Sequence, residues 1–266
     1  MKKRNISLLF MIIASLLIVT ACSNDAKNEK TENKKEPIRI LVAAAASMES
    51  SLNEIIDIFE EEYNWITVEV TYDSSGKLQT QIEEGLGADV FLSAAMKQMN
   101  ALKEQELIDP DSVIELLENK LVLIIPAVGE GGVRGFNSIL DAETIAIGDP
   151  ASVPAGQYAE EIFKNMNIYD DVLGKASLGT NVTQVLNWVS EGSADAGIVY
   201  STDAALADGV RVIEEAPEGT LDTKVIYPTG IVSSSENKEE AKLFIEYLQT
   251  ENGAMVFEAF GFSLAN

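Results

Sequence analysis

Four short segments of small and hydroxyl-bearing residues stand where a strand gives way to a helix: Ala45-Ala46-Ser47, Ser74-Ser75-Gly76, Val153-Pro154-Ala155-Gly156 and Thr180-Asn181-Val182-Thr183. Helix starts present unpaired N–H groups and the positive end of the helix dipole, so they attract anions. Small side chains let a ligand come close to the main chain, and serine or threonine adds a hydroxyl donor. None of the four segments has a carboxylate at its centre. Neutral donors without an acceptor suit a fully deprotonated oxyanion. A serine at a helix start more often caps its own helix, so the joint appearance of the four carries the reading rather than any single one.

Other chemistries find less support. Ser74 and Lys77 satisfy the S-x-x-K spacing of penicillin-recognising serine hydrolases, but no K-T-G or S-D-N element follows. The chain has no histidine, which excludes Ser-His-Asp and Cys-His catalysis and any metal site built on imidazole. Asp109 and Asp111 flank Pro110, and Asp149 precedes Pro150, positions typical of turn formers rather than of a catalytic carboxylate pair. The reading is therefore of a binding protein and not an enzyme, with no cofactor. With no histidine, binding is expected to vary little between pH 6 and 8.

The elements that must hold these segments alternate between strand and helix. Ile38–Ala43 is a near-continuous apolar strand, and Leu52, Ile55, Ile56, Phe59 and Tyr63 form one stripe of a helix for which Ser47 is the expected N-cap. Ile66–Tyr72 alternates as a strand, Leu78 and Ile82 sit at helical spacing, Val90–Leu92 is a third strand, and Met96, Met99 and Leu102 mark another helix. A second series follows: strands at 121–125, 144–147, 196–199 and 210–213, with helices around Tyr158, Ile162 and Phe163 and around Val185, Leu186 and Val189. Segments 224–227 and 230–233 read as two strands leading back to a last amphipathic helix with Leu243, Phe244, Tyr247 and Leu248. The fold class is α/β, with mostly parallel sheets.

The chain of 266 residues carries 43 Asp plus Glu against 19 Lys plus Arg, a formal charge of −24, which argues against nucleic-acid binding. Lys2, Lys3 and Arg4 precede an apolar run from Ile6 to Ala21, too short for an ordinary membrane span of about 20 residues but suited to a secretory signal. Val19-Thr20-Ala21-Cys22 resembles a bacterial lipobox, which makes Cys22 the lipidated first residue of an extracytoplasmic, membrane-anchored protein. Residues 1–21 are then the signal peptide and 22–36 a disordered tether in which four lysines balance four acids. The folded body is more acidic still.

Five motifs in order, Val42-Ala43-Ala44-Ala45-Ala46-Ser47, Ser74-Ser75-Gly76-Lys77-Leu78, Ala88 to Ala94, Gly148-Asp149-Pro150 through Val153-Pro154-Ala155-Gly156-Gln157-Tyr158-Ala159, and Gly197-Ile198-Val199-Tyr200-Ser201-Thr202-Asp203, resemble those of the molybdate-binding proteins of ABC importers. The likeness runs from Ile38 to Gly261-Phe262 and is most specific in the fourth and fifth motifs. It implies a type II periplasmic-binding-protein fold: lobe 1 from 37–120 and 228–266, lobe 2 from 121–227, hinge strands near 121–125 and 224–227, and a ligand cleft between the lobes. The family's ligand positions fall on Ser47, Ser75, Ala155, Val182 and Tyr200. Ser47 and Ser75 would bind through hydroxyls and N–H groups, Ala155 and Val182 through N–H groups, and Tyr200 through its hydroxyl. Molybdate or tungstate would be held as an oxyanion with no direct bond to the metal. The resemblance further implies delivery to a permease and its ATPase by a monomer. Phosphate, protonated near neutral pH, calls for a carboxylate acceptor that the four segments lack, whereas sulfate differs from molybdate mainly in size. Lys77 is a departure from some members and is expected to point to solvent.

Overall fold

Branched and small apolar residues make Ile38–Ala45 a strand, β1, buried along most of its length between β2 (Ile66–Asp73) and β3 (Val90–Leu92) and parallel to both. The computed structural model describes residues 36–128 and 132–265. The apolar leader, Cys22 and the tether up to Lys35 lie outside the described residues. Helix α1 (Glu49–Glu62) buries the expected stripe of Leu52, Ile55, Ile56 and Phe59. Phe59 meets Phe244 and Tyr247 edge-on at 5.1 and 5.2 Å, and each such burial is worth about 1.5–3 kcal/mol. Helices α2 (Ser75–Glu83) and α3 (Met96–Glu104) follow β2 and β3.

The chain then runs through β4 (Ile114–Asn119) and, after Lys120 alone, through β5 (Leu121–Pro126) into a second layer. That layer continues with β6 (Ile145–Gly148), α4 (Pro154–Asn165), α5 (Tyr169–Leu173), β7 (Ala176–Gly179), α6 (Val182–Ser190), β8 (Ala196–Tyr200), α7 (Ser201–Ala205) and β9 (Val210–Glu215). Strand β10 (Val225–Ile231) returns, and α8 (Lys238–Leu248), α9 (Glu251–Ala259) and the short β11 (Ser263–Leu264) end the described chain. The first sheet has the order β11-β4-β10-β3-β1-β2 and the second β7-β6-β8-β5-β9, each flanked by helices. The result is two α/β lobes with two chain crossings.

Several expectations are corrected. The sheets are mixed rather than mostly parallel: β10 is antiparallel to β3 and β4, and β5 is antiparallel to β8 and β9. The crossings cause this, because the outgoing and returning strands lie side by side in opposite directions. Segments 224–227 and 230–233 are not two strands; β10 spans both through a register shift at Tyr227/Pro228, where the proline's missing N–H is tolerated. All of β10 pairs within the first sheet, so the chain rejoins that sheet at Val225, three residues before the expected boundary at 228. Each crossing carries an ion pair: Lys120 with Glu215 at 2.9 Å and Lys224 with Glu118 at 2.6 Å. These are solvent-facing pairs worth under about 1 kcal/mol.

Candidate functional site

Strand β1 ends at Ala45, and its chain makes a tight turn, Ala46–Met48, before α1 begins at Glu49. Ser47 is therefore not the N-cap of α1; Met48 takes that place, because the turn postpones the helix. The freed Ser47 hydroxyl lies 3.0 Å from the Tyr227 hydroxyl. In the second segment, Asp73 closes β2, Ser74 is the N-cap of α2 without capping it through its side chain, and Ser75 is the first helical residue. Ser75 is fully buried, and its Oγ accepts the Ala94 N–H at 2.9 Å. Ser74 is also buried, and its Oγ has no hydrogen-bond partner among the described residues.

The second lobe builds its share from main chain. Pro154 opens α4 with the fixed φ that suits a first helical turn, which sets Ala155 in that turn with its side chain fully buried. Gly156 lets the turn lie against β6: a Cβ there would stand 2.0 Å from the Gly148 carbonyl oxygen. Val182 opens α6 behind the N-cap Asn181, whose side chain accepts the Gln184 N–H at 2.9 Å, while Gln184 Oε1 accepts the Thr180 N–H at 2.7 Å. This reciprocal capping fixes the direction in which the first-turn N–H groups point. Tyr200 ends β8 and is buried, not an exposed edge aromatic. Burial raises its hydroxyl well above the ordinary tyrosine range, so it stays a proton donor. Its contact to the Ala94 carbonyl is long, 3.5 Å, and the Tyr227 hydroxyl is a second hydrogen-bond neighbour.

All five sequence-predicted residues, Ser47, Ser75, Ala155, Val182 and Tyr200, line one cavity of about 10 Å³, together with Ser74 and Ala94. The lobes meet around it. Gly76 N–H donates to the Ser152 carbonyl at 2.9 Å, and Gln98 Nε2 donates to Gln157 Oε1 at 3.1 Å. Gly76 permits this approach, since a Cβ would stand 2.4 Å from the Ser152 oxygen. A far larger groove of about 840 Å³ runs alongside, but its walls mix Glu115, Glu118 and Glu160 with Lys97, Lys164 and Lys224, several already paired with one another. It lacks the converging helix starts.

Lys77 stays partly exposed and is absent from the cavity lining; its ammonium pairs with Asp73 Oδ1 at 3.1 Å, and that oxygen also accepts the Ser74 N–H. The same pairing holds the lysine on Asp73 rather than on Ser74, unlike a serine–lysine nucleophile. Asp73 is among the residues lining the cavity, and its carboxylate is engaged by the Ser74 N–H and the Lys77 ammonium.

Sequence reasoning missed four further residues. Ser74 stands out in the sequence only within its segment and as the serine of the S-x-x-K spacing. Tyr227 was read as hinge strand, and no local signal ties it to Ser47, 180 positions away. Asn119 joins them through Tyr227, at 3.3 Å. Asp203, in the first turn of α7, is buried with no partner for Oδ2 among the described residues, and burial pushes its carboxyl up to about 8 despite a backbone hydrogen bond at Tyr200. It lies near enough to the Tyr200 and Tyr227 hydroxyls to act on both, so a titrating group sits at the upper edge of the range expected to be flat.

Residues 40–263 match the family model of the bacterial extracellular solute-binding proteins. Over 257 residues the chain is 37% identical to the "Putative ABC transporter substrate-binding lipoprotein YvgL" of Bacillus subtilis, covering 97% of each. It is 34% identical over 233 residues to the molybdate-binding protein ModA of Haemophilus influenzae, across 85% of this chain and 90% of that one. Among solved structures, the periplasmic molybdate-binding protein of Azotobacter vinelandii has the same fold, with a TM-score of 0.75 at 22% identity over 85% of this chain and all of the other. With its two α/β lobes in the type II periplasmic-binding-protein arrangement, this chain belongs to the bacterial extracellular solute-binding proteins.

Proposed function

We propose that the protein captures molybdate, and tungstate with it, between its lobes and delivers the anion to an ABC permease powered by its ATPase. The observation that carries this reading is the convergence of two serine hydroxyls, two helix starts and one tyrosine hydroxyl on a single small cavity. Ser47 and Ser75 serve from the first lobe, and Ala155 N–H, Val182 N–H and the Tyr200 hydroxyl from the second. The anion is held through its oxygens, with no bond from protein to metal and no chemistry done on it. A ligand that contacts both lobes binds the closed form preferentially, and that preference couples capture to docking on the permease. The protein works outside the cytoplasm as a monomer, tethered through a lipid on Cys22, and is not an enzyme.

The acidic chain does not oppose this. Local N–H groups and hydroxyls hold a small dianion in a dry cleft, whereas the net charge of −24 repels extended polyanions. Titration calorimetry on residues 23–266 with molybdate, tungstate, sulfate and phosphate tests the reading. Molybdate and tungstate are expected to bind tightly, with sulfate weaker. Tight binding of sulfate alone would move the protein to another tetrahedral oxyanion, and binding of phosphate without molybdate would overturn the assignment.

A further inference from the structure

We propose that Tyr227 and Asn119 are positioning residues that fix the direction of the Ser47 hydroxyl, turning its proton into the cleft. The inference rests on the reading of that cleft as an oxyanion site. It follows from tracing which atoms can only donate. The Lys120 main-chain N–H points at Asn119 Oδ1 from 2.8 Å, and Ser201 Oγ lies 3.0 Å from the same oxygen. An N–H cannot accept, so this atom of the amide is the oxygen and the other is the NH₂. That NH₂ faces Thr202 Oγ1 at 2.9 Å and Tyr227 Oη at 3.3 Å.

Tyr227 is fully buried, and burial holds its hydroxyl in the protonated form. Its oxygen accepts from Asn119 and also faces the Tyr200 hydroxyl, a bond that raises the pKa of Tyr200 and lowers that of Tyr227, as donation from Tyr200 would; the acceptor left for its own proton is Ser47 Oγ at 3.0 Å. Ser47 Oγ thus receives a hydrogen from behind. Its own hydrogen is left for the cavity that Ser47 lines. Ser75 reaches the same state by another route, because the Ala94 N–H occupies its oxygen. Both hydroxyls therefore present protons, which suits a tetrahedral dianion that can only accept. A monohydrogen phosphate, which must also donate, finds both hydroxyls already turned as donors and would have to use a second lone pair of one of them or the Asp73 carboxylate at the wall.

The relay also spans the crossing of the chain. Asn119 ends β4 and Tyr227 lies in β10 of the first sheet, while Ser201 and Thr202 start α7 of the second lobe. The orientation of Ser47 is thereby tied to the arrangement of both lobes at the hinge.

A double-mutant cycle read by molybdate calorimetry on the full chain in detergent tests the proposal. Tyr227→Phe is expected to weaken binding by about tenfold, and Ser47→Ala by at least as much. Because Tyr227 acts through Ser47, the double variant should bind within about twofold of Ser47→Ala alone. Asn119→Ala should cost about two- to fivefold in the native background and nothing further beside Ser47→Ala. This second cycle decides the matter if Tyr227→Phe does not fold, as judged by its melting temperature. Losses that simply multiply in both cycles, or a Tyr227→Phe protein that binds as the native one does, would overturn the proposal. Failure of the native chain to bind molybdate would instead overturn the functional reading, and the proposal with it.

Discussion

The two lobes approach the cavity with different chemistry. The first adds side chains to its main-chain N–H groups: the Ser47 and Ser75 hydroxyls, each with its oxygen engaged from behind, and Ser74 beside them, without a side-chain partner among the described residues. The second brings main chain, at the starts of α4 and α6, and a single hydroxyl, that of Tyr200. Side-chain donors can be removed one at a time by substitution. Main-chain donors survive most substitutions and are lost only when the backbone moves or its N–H is replaced. The lobes should therefore respond in opposite ways to the same kind of mutation.

The largest effect is expected where the second lobe's backbone is displaced. In Gly156→Ala the new Cβ would stand 2.0 Å from the Gly148 oxygen and 2.5 Å from its carbonyl carbon. Both are backbone atoms of the strand that supports the site, so the start of α4 must retreat and carry the Ala155 N–H with it. A loss of more than about 3 kcal/mol, over a hundredfold in molybdate affinity, is expected by calorimetry. Near-native affinity would mean that the Ala155 N–H does not reach the ligand.

Next come the single donors. Ser47→Ala and Ser75→Ala should each cost about 1.5–3 kcal/mol as lost hydrogen bonds to a charged ligand. The matching operation in the second lobe is Val182→Pro. Val182 is the first residue of α6, where proline's φ fits and its missing N–H breaks no helix hydrogen bond, and Asn181 before it is already extended at φ −157° and ψ 173°. The variant deletes one donor while leaving the helix in place. A loss of about 1.5–3 kcal/mol in affinity, with stability lowered no more than in Val182→Ala, would equate the two lobes donor for donor.

The same contrast explains what could be read from the sequence. Main-chain donors sit at helix starts, and helix starts are local: Pro154 after a strand, or Asn181 three residues before Gln184, mark them without any knowledge of the fold. The paired hydroxyls of Ser47 and Ser75 were visible as residue types in those segments, although their roles came from family resemblance. What lies behind them was not visible. Tyr227 meets Ser47 across 180 positions, and Asn119 meets Thr202 across 83, through strands whose pairing depends on two chain crossings. Strand β4 was missed because Ile114–Asn119 interleaves Glu115 and Glu118 with its apolar residues, and the antiparallel neighbours followed from crossings that periodicity does not record. Asp203 looked like one more helix-start acid; only burial sets it apart.

That burial gives a smaller, pH-dependent effect. The Asp203 carboxyl titrates near 8 in the folded protein, against 3.8 for a free side chain, so the folded state keeps a proton that the unfolded state releases. Its contribution to stability is complete below about pH 4 and declines steadily as the pH rises towards 8. Binding feels the same group at higher pH. Ionised Asp203 sets a negative charge near the Tyr200 and Tyr227 hydroxyls, and a bound dianion opposes that charge. Molybdate affinity should be level below pH 7.5 and fall by about fivefold between pH 8 and 9. Asp203→Asn should bind with a flat profile over that range and lose stability less steeply with pH than the native protein. A profile in the Asn variant identical to the native one would assign the titration elsewhere.

The smallest effect separates side chain from main chain at one position. Val182→Ala removes methyl groups from a residue that is 4% exposed, so stability should fall by about 1 kcal/mol, measurable by chemical denaturation. The N–H stays, and the cap from Asn181 to Gln184 N–H holds it in direction. Affinity for molybdate should therefore remain within about twofold of native. Stability and binding part company here, whereas at Ser47 a truncation of similar size reaches the ligand directly. If Val182→Ala weakens binding as much as Ser47→Ala does, the second lobe acts through its side chains as the first one does, and the division between the lobes falls.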